Sequence, residues 1–423
     1  MTALRPILPE NCCCDDLAPR KSLIPVHEAV SIVSSAVGPV ERMETLAFER
    51  IGGRVLADTA YAAAPVPPFA NSAMDGFAVR IQDFRGDGPW TFPVSGNLAA
   101  GHGYGTGLHP KSVAQVMTGA PIPNGADTVV PQEHVTFANG FAVFSSRPIA
   151  ASHVRYRGED LQQGQPVIKG GSRLGASEIA ALAAAGHRKV TVRGRVRVAV
   201  LATGDELRKS GEALDGSGIW DVNSPMLRSA LQSVGAEIVD TGSVLDDRRA
   251  MANELLRLAG ISDLIVTTGG VSVGERDFVK AALLDAGGDI VFSGVAMKPG
   301  KPVSFGKIGR TCWLGLPGNP YAALVAWTLF GVPIHDALAG LSKARRMAIP
   351  AITATCLTHP TGRSEFRLAR IEGFDGLGRT VVHCAAVTHS AKVSGLVEAV
   401  GIAEIPPDVA KVPQAGLIRF YPF

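Results

Sequence analysis

The run Thr267-Thr268-Gly269-Gly270-Val271-Ser272-Val273-Gly274, with Glu275-Arg276-Asp277 behind it, closes one apolar stretch and opens a helical one. Glycines there let successive backbone N–H groups converge on an anion, and a helix N-terminus adds partial positive charge, so the segment suits a phosphate. A plain strand-to-helix turn, with acids complementing the helix dipole, accounts for the same residues without a ligand. Gly270-x-Ser272-x-Gly274 also fits the nucleophile elbow of α/β-hydrolases, which would make Ser272 a nucleophile. Its histidine would have to come from His335, His383 or His389, and the acids and lysines nearby would have no part to play.

Those acids are Asp205 and Glu206, in Gly204-Asp205-Glu206-Leu207 after one apolar run, and Asp246 and Asp247 after the next. Mg²⁺ takes one or two carboxylates together with phosphate oxygens. Each acid alone equally suits a helix cap, and only their convergence on one edge favours a metal. Lys298-Pro299-Gly300-Lys301-Pro302 sets two cations around a stiff turn, suited to a small dianion or a pyrophosphate. It is not a Walker A loop, because five residues separate Gly294 from Gly300 and Pro302 stands where Ser or Thr is needed. Leu316-Pro317-Gly318-Asn319-Pro320 puts Asn at an N-cap and Pro at the first helical position, a second anion site or simply a helix start. Two further segments, 71–79 around Asp75 and 117–121 around Thr118, read from physics alone as polar turns.

The elements that must hold these residues are clearest over 195–331. Apolar strands at 196–202, 237–241, 264–268, 289–292 and 312–316 alternate with helical patterns at 225–234, 248–259, 277–286 and 321–330. Such alternation makes βαβ units and a mainly parallel, doubly wound sheet, whose ligands bind beyond the carboxyl ends of the strands. Upstream, Val26, Ala29, Val30 and Val33 have helical spacing, 61–153 has short apolar runs between Pro and Gly turns, and 177–185 is helical again. The β-rich stretch therefore reads as an insertion within a helical domain. The expected organisation is a flexible leader at 1–21, a discontinuous helical/linker domain at 22–60 and 155–194, an inserted β-rich domain at 61–154, a doubly wound domain at 195–344 and a small C-terminal β domain at 345–423.

Composition narrows the classes. The chain has 423 residues, 46% hydrophobic and 19% charged, enough for several packed cores and too apolar for disorder. With 41 Lys and Arg against 38 Asp and Glu, a formal charge of +3, it lacks the basic excess of a nucleic-acid binder. Forty-eight glycines and 28 prolines point to many tight turns. Six cysteines show no CxxC pair, and Cys12 to Cys14 read as unpaired thiols. The run 322–334 is shorter than the roughly 20 residues that span a bilayer. No secretory leader is read in residues 1–20, so a soluble, cytoplasmic protein is expected, with neither nucleic acid nor membrane as partner.

In order along the chain, PFANSAMDGFAV (68–79), MTGAPIP (117–123), RGEDL (157–161), ATGDEL (202–207), DVNSP (221–225), TGGVSVGERD (268–277), MKPGKP (297–302) and LPGNP (316–320) resemble the MoeA family of molybdopterin molybdenumtransferases, to which the gephyrin E domain also belongs. The sheet domain alone would equally resemble MogA adenylyltransferases and the CinA family. The segments with Asp75 and Thr118 decide between them.

The resemblance implies a homodimer of four-domain subunits with a MogA-like sheet domain, its active site between that domain and the β domain of the partner. It implies insertion of molybdenum into adenylylated molybdopterin, using molybdate, with loss of AMP. The divalent cation, Mg²⁺, would lie on Glu206, Asp246 and Asp277. Catalytic positions carried over are Asp75, Thr118, Asp160, Glu206, Asp246 and Asp277. Substrate-binding positions are Gly269, Gly270, Ser272, Lys298, Lys301, Pro317, Asn319 and Pro320, with Arg367, Ser390 and Ser394 on the molybdate; the segment around His389 lacks the family's glycines. A MogA-type adenylyltransferase and acceptor molybdoenzymes are the implied protein partners. A scaffold protein using the same fold, and a serine hydrolase acting through Ser272, are the alternatives.

Overall fold

The structure, a computed structural model, describes residues 23–102, 107–214, 216–270, 278–342, 348–385 and 393–423. Ser272, Asp277, Ser390 and Cys12 to Cys14 lie outside them. The chain divides into two compact units: one is Glu41–Gly194, the other the segment up to Val40 together with Arg195–Phe423.

In the larger unit the central sheet has six strands in the spatial order Glu237–Val244, Arg197–Thr203, Leu264–Thr268, Thr311–Leu316, Ser304–Ile308, Asp289–Ser293. The first four are parallel, and Ser304–Ile308 runs antiparallel to both of its neighbours. Arg197–Thr203, Leu264–Thr268 and Thr311–Leu316 are buried over nearly every residue, because helices cover both faces of a parallel sheet. Helix Arg248–Ala259 buries Met251, Ala252, Leu255 and Leu258, one stripe at helical spacing, against the sheet. Asp247 caps it, its Oδ1 accepting the Ala250 N–H at 2.6 Å. Helix Asn223–Val234 ends at Gly235, whose φ of 84° is the left-handed geometry a glycine adopts without strain.

The run expected to be helical at 321–330 extends through a π turn at Trp327–Gly331 to Leu338. Among the described residues it is the one helix long and apolar enough to cross a bilayer, and 83% of its apolar window is buried inside the protein. The opening helix Val26–Ala36 packs on this long helix, and Lys307 Nζ donates to Ala36 O. That helix thus joins the larger unit, whereas sequence order groups it with 155–194.

The C-terminal strands close on themselves. Ser364–Phe374 pairs with Thr380–Cys384 at one end and Gly401–Ile405 at the other; Ile349–Thr353 and Leu417–Pro422 complete the ring. Phe420, Ile405, Val382 and Ala403 fill it. The short strand Met297–Lys298 adds to the outside of this barrel, parallel to Ser364 and Glu365.

The unit Glu41–Gly194 carries a six-stranded sheet ordered Thr128–Pro131, Gly76–Val79, Val113–Val116, Trp90–Leu98, Phe141–Phe144, Val135–Ala138. Its core centres on Phe77, Phe84, Phe92 and Phe144, with the Phe84 and Phe144 rings edge to face at 5.1 Å.

Strand Ser304–Ile308 was not among the expected ones. Gly306 and Lys307 interrupt its apolar pattern, and the structure shows why the glycine is there: a Cβ would stand 2.4 Å from Asp289 O. Gly306→Ala should lower unfolding free energy by about 1–3 kcal/mol in urea titrations, with a far-UV spectrum matching the parent; an unchanged midpoint would mean that the two strands separate freely.

Candidate functional site

Four strands of the parallel sheet end at one edge, and the residues at and just past their ends form a cavity of about 800 Å³. Taken in chain order, its lining includes Thr203, Gly204 and Glu206 at the end of the first strand, Asp246 after the second, Thr268, Gly269 and Gly270 at the end of the third, and Pro317, Gly318, Asn319 and Pro320 after the fourth. Seven residues singled out from sequence therefore meet: Glu206, Asp246, Gly269, Gly270, Pro317, Asn319 and Pro320.

The loops are tied side to side. Asn223 Nδ2 donates to Thr268 Oγ1 and to Gly318 O, both at 2.7 Å, and the Thr268 hydroxyl donates to Pro317 O at 3.2 Å. Gly269 and Gly270 both have positive φ, 91° and 62°. A Cβ on Gly269 would meet Thr203 O at 2.4 Å and one on Gly270 would meet Val279 Cγ2 at 2.6 Å. Only glycine lets the turn lie this close to the neighbouring strand at the rim of the cavity. Asn319 holds the N-cap position and Pro320 the first helical position of the long helix.

Of the acid pair after the second strand, Asp247 is the helix cap, while Asp246 lines the cavity and accepts the Thr203 hydroxyl on Oδ1 at 2.9 Å. Asp205 is not part of the lining, and its Oδ1 accepts the Asp246 N–H at 3.0 Å. Glu206 is exposed on a small ribbon in which Leu207–Arg208 runs parallel to Ile219–Trp220. Sequence reasoning did not pick out Thr203, Asn223 or Trp220 as lining residues. A two-residue ribbon leaves no period to read, and the role of Asn223 depends on loops 45 and 95 residues away.

Lys298 and Lys301 are half-buried and stand outside that lining. Lys298 Nζ lies 3.9 Å from Glu365 Oε1, Arg367 Nε 3.2 Å from the same oxygen, and His359 Nδ1 3.6 Å from Oε2. His359 Nε2 donates to Val409 O at 2.6 Å. Glu365 is 2% exposed, so a buried carboxylate with cationic neighbours sits behind the lysine turn. Arg367, expected from the resemblance to contact molybdate, is itself buried in this cluster and donates to Thr358 O. Ser394 is exposed at the start of a short helix, Ser394–Glu398.

In the other unit, Asp75 Oδ1 accepts both the Thr118 backbone N–H at 2.7 Å and its hydroxyl at 2.8 Å. These bonds, the backbone one foremost, hold the Asp75 carboxyl below its ordinary range. Gly158 N donates to Pro67 O and Arg157 Nε to Pro68 O, which brings the loop with Asp160 against the chain that leads to Asp75. What reads as separate turns is one joined group of loops.

An open parallel sheet with its strand-end loops gathered around such a cavity defines a ligand-binding α/β protein of the doubly wound class. A family model for the MoeA N-terminal region (domain I and II) matches residues 24–186, and one for a probable molybdopterin binding domain matches 199–337. The molybdopterin molybdenumtransferase of Haemophilus influenzae is 35% identical over 326 residues, 77% of this chain and 80% of its own. Molybdopterin molybdenumtransferase 2 of Mycobacterium tuberculosis is 34% identical over 376 residues, 87% and 92%. A molybdopterin biosynthesis MoeA protein from Pyrococcus horikoshii superposes with a TM-score of 0.80 at 27% identity, covering 95% of this chain and 99% of that one. The chain belongs to the MoeA family of molybdopterin molybdenumtransferases, transferases of molybdenum cofactor biosynthesis.

In Thr118→Val the hydroxyl bond to Asp75 is lost and the backbone bond stays. The Asp75 carboxyl should then titrate at higher pH than in the parent while remaining below an ordinary aspartate. Carboxyl-carbon NMR reads this directly; because the bonds favour the charged form, their contribution is present at neutral pH and fades as pH falls through the Asp75 pKa. An unmoved titration would show that the hydroxyl does not act on the carboxylate.

Proposed function

We propose that this protein inserts molybdenum into adenylylated molybdopterin, taking molybdate as the metal source and releasing AMP, and that it does so as a cytoplasmic homodimer supplied by a MogA-type adenylyltransferase. The observation that carries this reading is the meeting of two carboxylates, Glu206 and Asp246, with the Gly269-Gly270 backbone around one cavity. Such a cavity pairs a backbone cradle for phosphate with acids for a cation.

Among the described residues no three His, Cys, Asp or Glu side chains cluster as a complete metal group. Mg²⁺ does not need one, since it binds through one or two carboxylates and substrate phosphates. The Thr203 hydroxyl on Asp246 Oδ1 fixes that carboxylate as an outer partner does for a metal-binding acid. Glu206 and Asp246, joined by Asp277, would hold Mg²⁺, which would offset charge on the pyrophosphate as the link to AMP breaks.

The chain's own residues divide the remaining work. The Gly269-Gly270 turn, with Ser272 and Asn319, binds the pyrophosphate, and Pro317 and Pro320 shape the pocket. Lys298 and Lys301 hold the molybdate dianion, with Ser390 and Ser394 as further contacts and Arg367 contributing charge from its buried place beside Glu365. Asp75, Thr118 and Asp160 act in the same reaction, with the Asp75 carboxyl held below its ordinary range by Thr118. Water cleaves the pyrophosphate, AMP leaves, and the two dithiolene sulfurs of the pterin displace molybdate oxygens, which take up the thiol protons and solvent protons and leave as water with no change in the oxidation state of molybdenum. Relatives named as transferases over most of their length favour this reading over that of a scaffold.

Purified protein given adenylylated molybdopterin, Mg²⁺ and molybdate should release AMP in step with molybdenum transfer; a ligand that binds and stays intact would refute the proposal. Asp246→Asn should cut turnover at least roughly 100-fold with pterin affinity retained. Asp247→Asn, which keeps a good N-cap, should leave both near the parent. Equal losses in the two variants would mean that the Asp pair serves the helix alone.

A further inference from the structure

The cavity's lining is not polar throughout. Beside the acids and the glycine turn it includes Leu214, Ile219, Trp220 and Phe278. The first three are unusually open for apolar side chains, at 43%, 55% and 48% exposure. Large apolar groups gathered in one concave place commonly mark a surface that something covers.

Trp220 is held in place rather than loose. Its indole Nε1 donates to Glu212 O at 2.9 Å, so the ring's polar edge is satisfied within the chain and a flat apolar face remains for other contacts. Ile219 N donates to Glu206 O, and Asp221 N to Arg208 O, both at 2.8 Å, which fixes the ribbon at both ends. The same ribbon therefore sets the positions of Glu206 and Trp220. Whatever phosphate group the glycine turn and the acids hold, the rest of that ligand has a rigid aromatic surface within the same 800 Å³. A flat ring gains most from such a surface, because stacking needs no hydrogen-bond partner and costs little ordering of an already fixed side chain.

We propose that Trp220, flanked by Ile219 and Leu214, is a stacking platform for a planar nitrogen heterocycle of the phosphorylated ligand. The inference deepens the function proposed above and rests on it for the identity of that ligand, which carries two such rings, an adenine and a pterin.

The test uses the full chain with Mg²⁺ and three probes in separate calorimetric titrations: AMP, 6-hydroxymethylpterin, and inorganic pyrophosphate, which has no ring. Trp220→Ala should weaken either AMP or the pterin by about ten- to a hundredfold, leave pyrophosphate unchanged, and abolish quenching of tryptophan fluorescence by the affected probe. Trp220→Phe should restore most of the affinity. Where Trp220→Ala fails to fold, Trp220→Leu keeps apolar bulk without an aromatic face and should show the same loss. Weakening confined to AMP places adenine on the platform, and weakening confined to the pterin places the pterin there. Equal loss of pyrophosphate, or no loss for either ring, overturns the proposal. If the parent releases no AMP from the adenylylated pterin yet shows the Trp220-dependent ring binding, the reaction reading fails and the platform stands. Turnover without that dependence upholds the reaction and removes the platform.

Discussion

The amide of Asn223 makes two donations, to Thr268 Oγ1 and Gly318 O, that join the ends of the third and fourth parallel strands to the start of a helix. Strand ends in a doubly wound sheet share an edge through topology alone, but their loops diverge unless something holds them. Here one buried side chain does so, and its own Oδ1 and the neighbouring Ser224 hydroxyl are left without a protein partner. Burying a polar atom unpaired costs about 1–3 kcal/mol, a cost the fold bears where the loops around the cavity must be fixed. Around that joint the glycine turn lies against Thr203, Asp246 accepts the Thr203 hydroxyl, and the long helix begins at Asn319.

The sheet was legible because strands buried on both faces read as unbroken apolar runs, as at 196–202 and 264–268. Ser304–Ile308 was not, because a glycine required by a close approach and a lysine that reaches the opening helix broke its pattern. The grouping of the opening helix was equally hidden, since helical spacing shows a buried stripe but not what covers it.

The site was legible in its glycines and acids and illegible in its linkages. Motif spacing can place Asp246 and Asp247 together, yet only the capping bond to Ala250 separates their roles. Asp75 and Thr118 are 43 residues apart, and nothing local in either turn foretells that one would donate two hydrogen bonds to the other's carboxylate. The apolar side of the cavity was hidden because Ile219 and Trp220 form a ribbon too short to show a period. Arg367 shows the converse limit: resemblance suggests a ligand contact there, and only the fold reveals that the side chain is buried against Glu365.

The strand Met297–Lys298 belongs by sequence to the sheet half of its unit but hydrogen-bonds to the barrel, opposite Ser364 and Glu365. Severing the polypeptide downstream of Ser342 would therefore leave a fragment that retains most of the cavity wall but not the anchorage of Lys298. The barrel is therefore what braces the lysine turn, and any attempt to transplant the sheet alone into another protein must bring a substitute brace for that lysine.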